Sequence, residues 1–358
     1  MKNPRIVVDR TKLRENISFI ASKLKNHELS IMAVTKVFNA HPQVIALYDE
    51  FPEISYYGDS RIENLMSYQD SKKQKVLIRL PMISEIPEVV QYADISFNSE
   101  LETIKQLDQE AEKQKKKHKI VLMVDLGDLR EGFFEREELY ECIQAVLKLE
   151  NIQIYGLGVN LTCYGAIIPS SKNLGNLIDI QNEIKQHYDL TLEMISGGNS
   201  SSLYLLDSPK DILPKGINNL RIGESFVLGR ETAYGGEYEQ MHQDAFTLVA
   251  EIVEIKVKPS YPIGEIGVDA FGKKPHYVDK GNMKRCIVAI GQQDVALDDI
   301  APKDKSIELL GASSDHLLLD LTHTKQEYKV GDEIEFLMSY GSVLSTFTSK
   351  YVKKEFIR

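Results

Sequence analysis

Cysteine is scarce in this chain. Cys142, Cys163 and Cys286 are odd in number, far apart and without a C-x-x-C pair, which argues against structural disulfides and against a thiolate zinc site. An excess of positive charge is also missing. The formal net charge is −10, whereas nucleic-acid partners need a basic face that replaces phosphate counterions. The one basic run, Lys113 to Lys119, is expected to close a helix that begins near Leu101, its cations complementing the helix dipole. No apolar run approaches the ~20 residues of a membrane span. The opening MKNPRIVVDR has neither an apolar h-region nor a small-residue cleavage site. No G-x-G-x-x-G follows the first strand-like run, which weakens a dinucleotide-binding reading. The expectation left standing is a cytoplasmic protein that acts on a small molecule, with no nucleic acid or membrane as partner. At 358 residues the chain has room for two domains.

Regular alternation fills the first part of the chain. Short apolar, β-branched runs (RIVVD, LSIMAVTK, EISYYGDS, KVLIRLP, ADISFN, KIVLMVDLG, IQIYGLGVN, TLEMISGG, NLRIGES) are separated by amphipathic stretches such as LRENISFIASKLK and SKNLGNLIDIQNEIKQHY. Leu13, Ile17, Ile20 and Leu24 show helical spacing, and Ser99 with Glu102 suggests a capping box for the helix from Leu101. Strands apolar on both faces, each followed by a helix, predict an α/β fold with a parallel sheet. About eight such units in roughly 230 residues point to a closed (β/α)8 TIM barrel. Beyond about residue 240 the texture is β-rich with Gly, Pro and Asp turns, and Gly235-Gly236 breaks both patterns. The expected architecture is a barrel over 1–235 followed by a smaller, mostly β C-terminal domain over 236–358.

In such barrels reactive groups gather at the C-terminal strand ends. Those ends offer Lys36, Asp59, Arg61, Arg130, Asn160, Cys163, Ser196 to Ser202 and Arg221, with no cluster of His and carboxylates for a metal. Lys36 either snorkels into solvent or is an amine in an electropositive, partly desolvated mouth. Both effects of the second setting lower its pKa and make it a carbonyl-attacking nucleophile. ISGGNSSS, residues 195–202, is either an ordinary capped turn or a phosphate site where glycines admit a ligand to the backbone. A strand-end lysine together with such a turn suggests an aldehyde cofactor carrying a phosphate, pyridoxal 5'-phosphate. Arg130 is open to two readings, a bidentate clamp for a carboxylate or a surface salt bridge. Arg221, ending the last barrel strand, needs an acceptor if buried.

These residues lie in AVTKVFNAHP, YYGDSRIENL, VDLGDLREGF, GLGVNLTCYG, GGNSSSL and NLRIGESFVLG. GVDAFGKKP, IVAIGQQDV, LLGASSDHLLLDLT and SYGSVLSTFTSKYV follow. In that order they make the chain resemble the alanine-racemase-type, fold-III pyridoxal phosphate enzymes, closest to the amino-acid or ornithine racemase branch. The resemblance implies that Lys36 is joined to the cofactor as an imine and serves as one acid/base at the substrate Cα. It implies that Asn199 and Ser200 bind phosphate, that Arg130 meets the substrate carboxylate and that Arg221 faces the pyridine nitrogen. The related decarboxylases resemble the family with an E-P-G sequence where this chain reads RIG at 221–223. A permanently charged arginine only donates, so the ring nitrogen stays unprotonated and the electron sink is weaker, which favours racemisation.

Departures from the alanine-specific pattern are equally informative. Gln292 stands where a catalytic tyrosine is expected, Ala40 or His41 in place of a phosphate-contacting tyrosine, and Asn160 at a cofactor-stacking histidine. Met123 falls near a lysine that precedes the arginine loop. Alanine is therefore doubtful as substrate, and a basic amino acid such as ornithine or lysine is expected, with Asp269, Asp294 and Asp315 as guesses for its acidic partner. Two-base racemisation needs a group on each face of a planar carbanion. Cys163 is the leading candidate for the second, a thiol near a cationic site; a buried structural cysteine is the bland alternative. His316 and Asp294, supplied across a dimer interface, follow, because the resemblance implies a head-to-tail homodimer. Another fold-III enzyme (a decarboxylase or a D-amino-acid aldolase) and a non-catalytic cofactor-binding protein are the competing readings. The first is disfavoured by Arg221 and by the absence of a convincing metal cluster, the second by the C-terminal domain.

Overall fold

The computed structural model describes every residue except Met1, Asp269, Ala270 and Lys273. The chain divides into two compact units, one Arg14–His242 and the other Met1–Leu13 with Gln243–Arg358. Among the described residues no helix is long and apolar enough to cross a membrane.

Strand β1 (Arg5–Asp9) belongs to the second unit. The next eight strands close into a parallel barrel in sequence order: β2 (Ser30–Val34), β3 (Ile54–Asp59), β4 (Gln74–Leu77), β5 (Ile95–Asn98), β6 (His118–Val124), β7 (Ile152–Val159), β8 (Met194–Ser196) and β9 (Asn219–Ile222). Pairing of β9 with β2, Arg221 opposite Met32, completes the ring. The intervening helices are α1 (Arg10–Asn26), α2 (Pro42–Asp49), α3 (Ile62–Met66), α4 (Ile86–Tyr92), α5 (Leu101–Lys113), α6 (Arg136–Val146) and α7 (Ser171–Tyr188). The short α8 (Glu224–Leu228) follows β9. Four of the five residues of β2 and all of β5 and β9 are buried, as strands covered on both faces require. Met32, Ile95, Phe97, Val121, Met123 and Met194 belong to one apolar cluster drawn from several barrel strands. It makes the barrel a packed core and leaves chemistry to the strand ends.

The second unit is a mostly antiparallel sheet. Its long strand β10 (Phe246–Pro259) pairs with β11 (Asn282–Val288) over one half and with β1 over the other. The remaining strands are β12 (Ile300–Pro302), β13 (Glu308–Ala312), β14 (Leu317–Asp320), β15 (Glu333–Met338) and β16 (Lys353–Ile357), with helix α9 (Tyr340–Thr348) between the last two.

RIVVD was expected among the barrel strands. It pairs instead with β10, antiparallel, and with β16, parallel. Its burial alternates residue by residue, with Ile6 and Val8 fully covered, the period of a sheet whose two faces differ. The second unit therefore takes residues from both ends of the chain, and the later break lies after His242. The expected Ser99 capping box does not form; Glu100 is the N-cap and makes no side-chain cap bond. Nor does the basic run close α5 as a whole. Only Lys113 lies in its last turn; Lys115 has a φ of 55°, and His118 and Lys119 already belong to β6.

Candidate active site

Lys36 follows β2 by two residues and opens a 3-10 turn through Phe38. The residue before it is held from two sides: the Thr35 N–H donates to Gly58 O at 3.0 Å and its Oγ1–H to Asp59 Oδ2 at 2.5 Å. Asp59 is fully buried at the end of β3 and also accepts from the Arg61 N–H at 2.9 Å and from Asn64 Nδ2 at 3.1 Å. Burial raises its pKa, against the pull of these donors. Desolvation lowers the pKa of the Lys36 amine, the charges of Arg130 and Arg221 push the same way, and Cys163 and Asp59 oppose them. Four of the side chains singled out in the sequence thus act on this one amine.

Arg221 is 5% exposed. Its Nη1 donates to Ser196 Oγ at 2.8 Å, and its Nη2 donates to Val159 O at 2.7 Å and to Asn160 Oδ1 at 3.4 Å. The guanidinium lies 5.4 Å over the Phe97 ring. Burial lowers its pKa to about 10, so it remains a cationic donor at neutral pH.

Asn160 ties this arginine to the rest of the mouth. Its Oδ1 also takes the Cys163 thiol at 3.5 Å and Asn199 Nδ2 at 3.4 Å, while its own Nδ2 is buried without a hydrogen-bond partner. Asn199 Nδ2 donates to Leu161 O at 3.0 Å and lies 3.6 Å from Cys163 Sγ; its Oδ1 caps the Ser201 N–H at 2.8 Å. Ser200 Oγ, buried, accepts from the Ser225 N–H at 3.3 Å, which brings the starts of the 200–206 turn and of α8 together. Ser201 Oγ is buried without a partner. Gly198 has a φ of +108°, and a Cβ there would sit 2.7 Å from Ser202 Oγ, so conformation and space both demand glycine.

Arg130 lies at the tip of a loop that folds back onto β6, where the Phe133 N–H donates to Met123 O at 2.9 Å. Arg130 Nε and Nη2 both bind Glu131, the second at 2.6 Å, and this raises the arginine pKa. Glu131 was not singled out in the sequence, yet its charge also acts on Arg221. Asp128, 1% exposed and equally unsuspected, accepts backbone N–H groups from the Cys163 loop. A signal existed for both, since each lies in the strand-end loop that carries Arg130.

Other candidates make different contacts. Arg61 is exposed at the start of α3. Asp294 belongs to the second unit, where it accepts from Ser349 Oγ at 2.6 Å; His316 is exposed in the turn between β13 and β14. Gln292 donates to Ala312 O at 3.2 Å. Asp315 is exposed beside Ser314, and Asp269 lies outside the described residues. Among the described residues no group of three or more His, Cys, Asp or Glu is placed to hold a metal.

Residues 8–230 match the family model of the alanine racemase N-terminal domain. The chain belongs to the alanine racemase family. It is 52% identical over 354 residues, 99% of each chain, to the ornithine racemase of Acetoanaerobium sticklandii. It is 37% identical to the lysine racemase of Thermotoga maritima, over 99% of this chain and 98% of that one. Among solved structures, alanine racemase from Bartonella henselae, described with covalently bound pyridoxal phosphate, superposes with a TM-score of 0.76 at 16% identity over the whole of both chains. The alanine racemase fold is thus shared across very low sequence identity, while the full-length relatives named for ornithine and lysine share much more of the sequence.

Proposed function

We propose that this racemase interconverts the L and D forms of a basic amino acid, ornithine foremost and lysine next, by two-base proton transfer at Cα with pyridoxal 5'-phosphate as cofactor. The observation that carries the reaction is the mouth in which Asn160 Oδ1 meets both the Cys163 thiol and the buried Arg221 guanidinium, with Lys36, its amine pKa lowered by burial, at the end of β2. The substrate rests on the names and identities of the two full-length relatives.

The residues present fit the cofactor. Lys36 would hold it through an amine of lowered pKa, and Arg221 would supply a buried donor that stays charged. Asn160 Nδ2 and Ser201 Oγ are buried polar groups without protein partners, as a polar ligand in the mouth would explain. Asn199 and Ser200 order the turn for the phosphate. When bound, pyridoxal phosphate supplies a conjugated ring that makes the Cα proton acidic. The chain does the rest. Lys36 would move the proton on one face of Cα and Cys163 on the other, Arg130 would orient the substrate carboxylate, and Arg221 would offer the cofactor ring a donor that stays charged. We assign the protein to the cytoplasm, in keeping with three free cysteines, and to a homodimer on the strength of the family resemblance.

The test is direct. Protein incubated with the cofactor should show a visible absorption band that Lys36→Ala abolishes, and L-ornithine should lose its optical rotation. Enantiomers have equal free energy in water, so kcat/KM must be the same in both directions. Cys163→Ser should therefore lower both together; full turnover in that variant removes Cys163 from the mechanism. Failure to racemise any basic amino acid overturns the substrate assignment.

A further inference from the structure

The β7–α7 loop, which carries Cys163, has an internal side-chain bond from Thr162 Oγ1–H to Ile167 O at 2.8 Å, but its backbone N–H groups look outside the loop for acceptors. Thr162 and Ala166, on either side of the cysteine, have φ of 63° and 53°, a region that costs ordinary side chains about 1–2 kcal/mol each. The loop is fastened from outside by one carboxylate. Asp128 Oδ2 accepts the N–H groups of Cys163 at 3.3 Å and Tyr164 at 3.0 Å, and Oδ1 accepts that of Ile167 at 3.3 Å. The Asp128 carbonyl takes the Gly165 N–H at 3.1 Å, and a Cβ on Gly165 would lie 2.8 Å from that oxygen. Asp128 is 1% exposed, so three donors converge on a carboxylate that water does not reach. The loop so fixed presents the Cys163 thiol to Asn160 Oδ1, the residue whose buried Nδ2 lacks a partner.

We propose that Asp128 is a positioning residue for proton transfer: it fastens the 162–167 loop to the loop bearing Arg130 and thereby sets the Cys163 thiol in the barrel mouth. This rests on the reading of Cys163 as the second acid/base. An amide at position 128 keeps one acceptor oxygen but turns an N–H₂ toward the remaining donors, and alanine keeps neither oxygen. Gly165→Ala attacks the same contact from the other side and leaves the carboxylate intact.

The experiment uses cofactor-loaded full-length protein and the variants Asp128→Asn, Asp128→Ala and Gly165→Ala. Hydrogen exchange over 160–167 should quicken on the order of tenfold or more, while β6 and β7 exchange as in the parent. Racemisation kcat should fall on the order of tenfold. The Cα-deuterium isotope effect should rise in the direction in which Cys163 removes the proton and fall in the other, because only its transfer is slowed. A loss of folded protein alone would leave both isotope effects at parental values. Unchanged exchange in 160–167, or quickened exchange with both isotope effects unmoved, overturns the proposal. Cys163→Ser, measured alongside, separates the two claims: if it turns over at the parental rate, the fault lies in the role given to Cys163.

Discussion

Acid should loosen the barrel through a single histidine. His118, at the start of β6, is 2% exposed, and its Nε2 lies 2.8 Å from Ser96 Oγ, which also accepts from Asn98 Nδ2 at 2.9 Å. Burial, with a smaller push from Lys116, lowers its pKa from 6.5 to about 4. The unfolded chain therefore binds a proton below pH 6.5 that the folded chain refuses until about pH 4. Stability is unaffected by this group above 6.5 and falls as pH drops through the window. A separation of about 2.5 units corresponds to about 3 kcal/mol across it. Carboxylates such as Glu333, held down to about 2 chiefly by its hydrogen bond from Arg5, lose their contribution in a lower window, from 4.5 downward. Urea unfolding at a series of pH values, for the parent and His118→Gln, reads the difference. Glutamine has no proton to take up, so the parent should lose stability relative to the variant by about 3 kcal/mol between pH 6.5 and 4. Parallel curves through that window would refute the reasoning.

Two further substitutions test the mouth. Arg221→Met removes the donor to Val159 O and Ser196 Oγ; each buried acceptor left unsatisfied should cost about 1–3 kcal/mol, read as a lower melting temperature. Gly198→Ala places a Cβ at a φ of +108° and 2.7 Å from Ser202 Oγ. It should cost about 1–3 kcal/mol and weaken retention of the cofactor on dialysis, measured by the visible band.

The barrel was legible because its physics is local. Runs such as SIMAV and NLRI are buried on both faces, and strands of that kind alternating with 3.6-period helices leave few other architectures. Lys36 was legible for the same reason: a charged residue where a buried strand ends is conspicuous. RIVVD was misplaced because five residues cannot announce partners near positions 247 and 355. The Ser99 cap failed because Glu100 starts the helix in extended conformation without side-chain help.

Sequence alone determined the strand-and-helix alternation, the lysine, the guanidinium in place of a carboxylate at 221, and the family. Those follow from periodicity and residue type, which the chain carries in its local order. Only the tertiary structure decided that Arg130 is claimed by Glu131, that Asp128 fastens the Cys163 loop, and that both ends of the chain build the second unit. These depend on which loops closure of the barrel brings side by side, and on burial that makes a hydrogen bond between them obligatory.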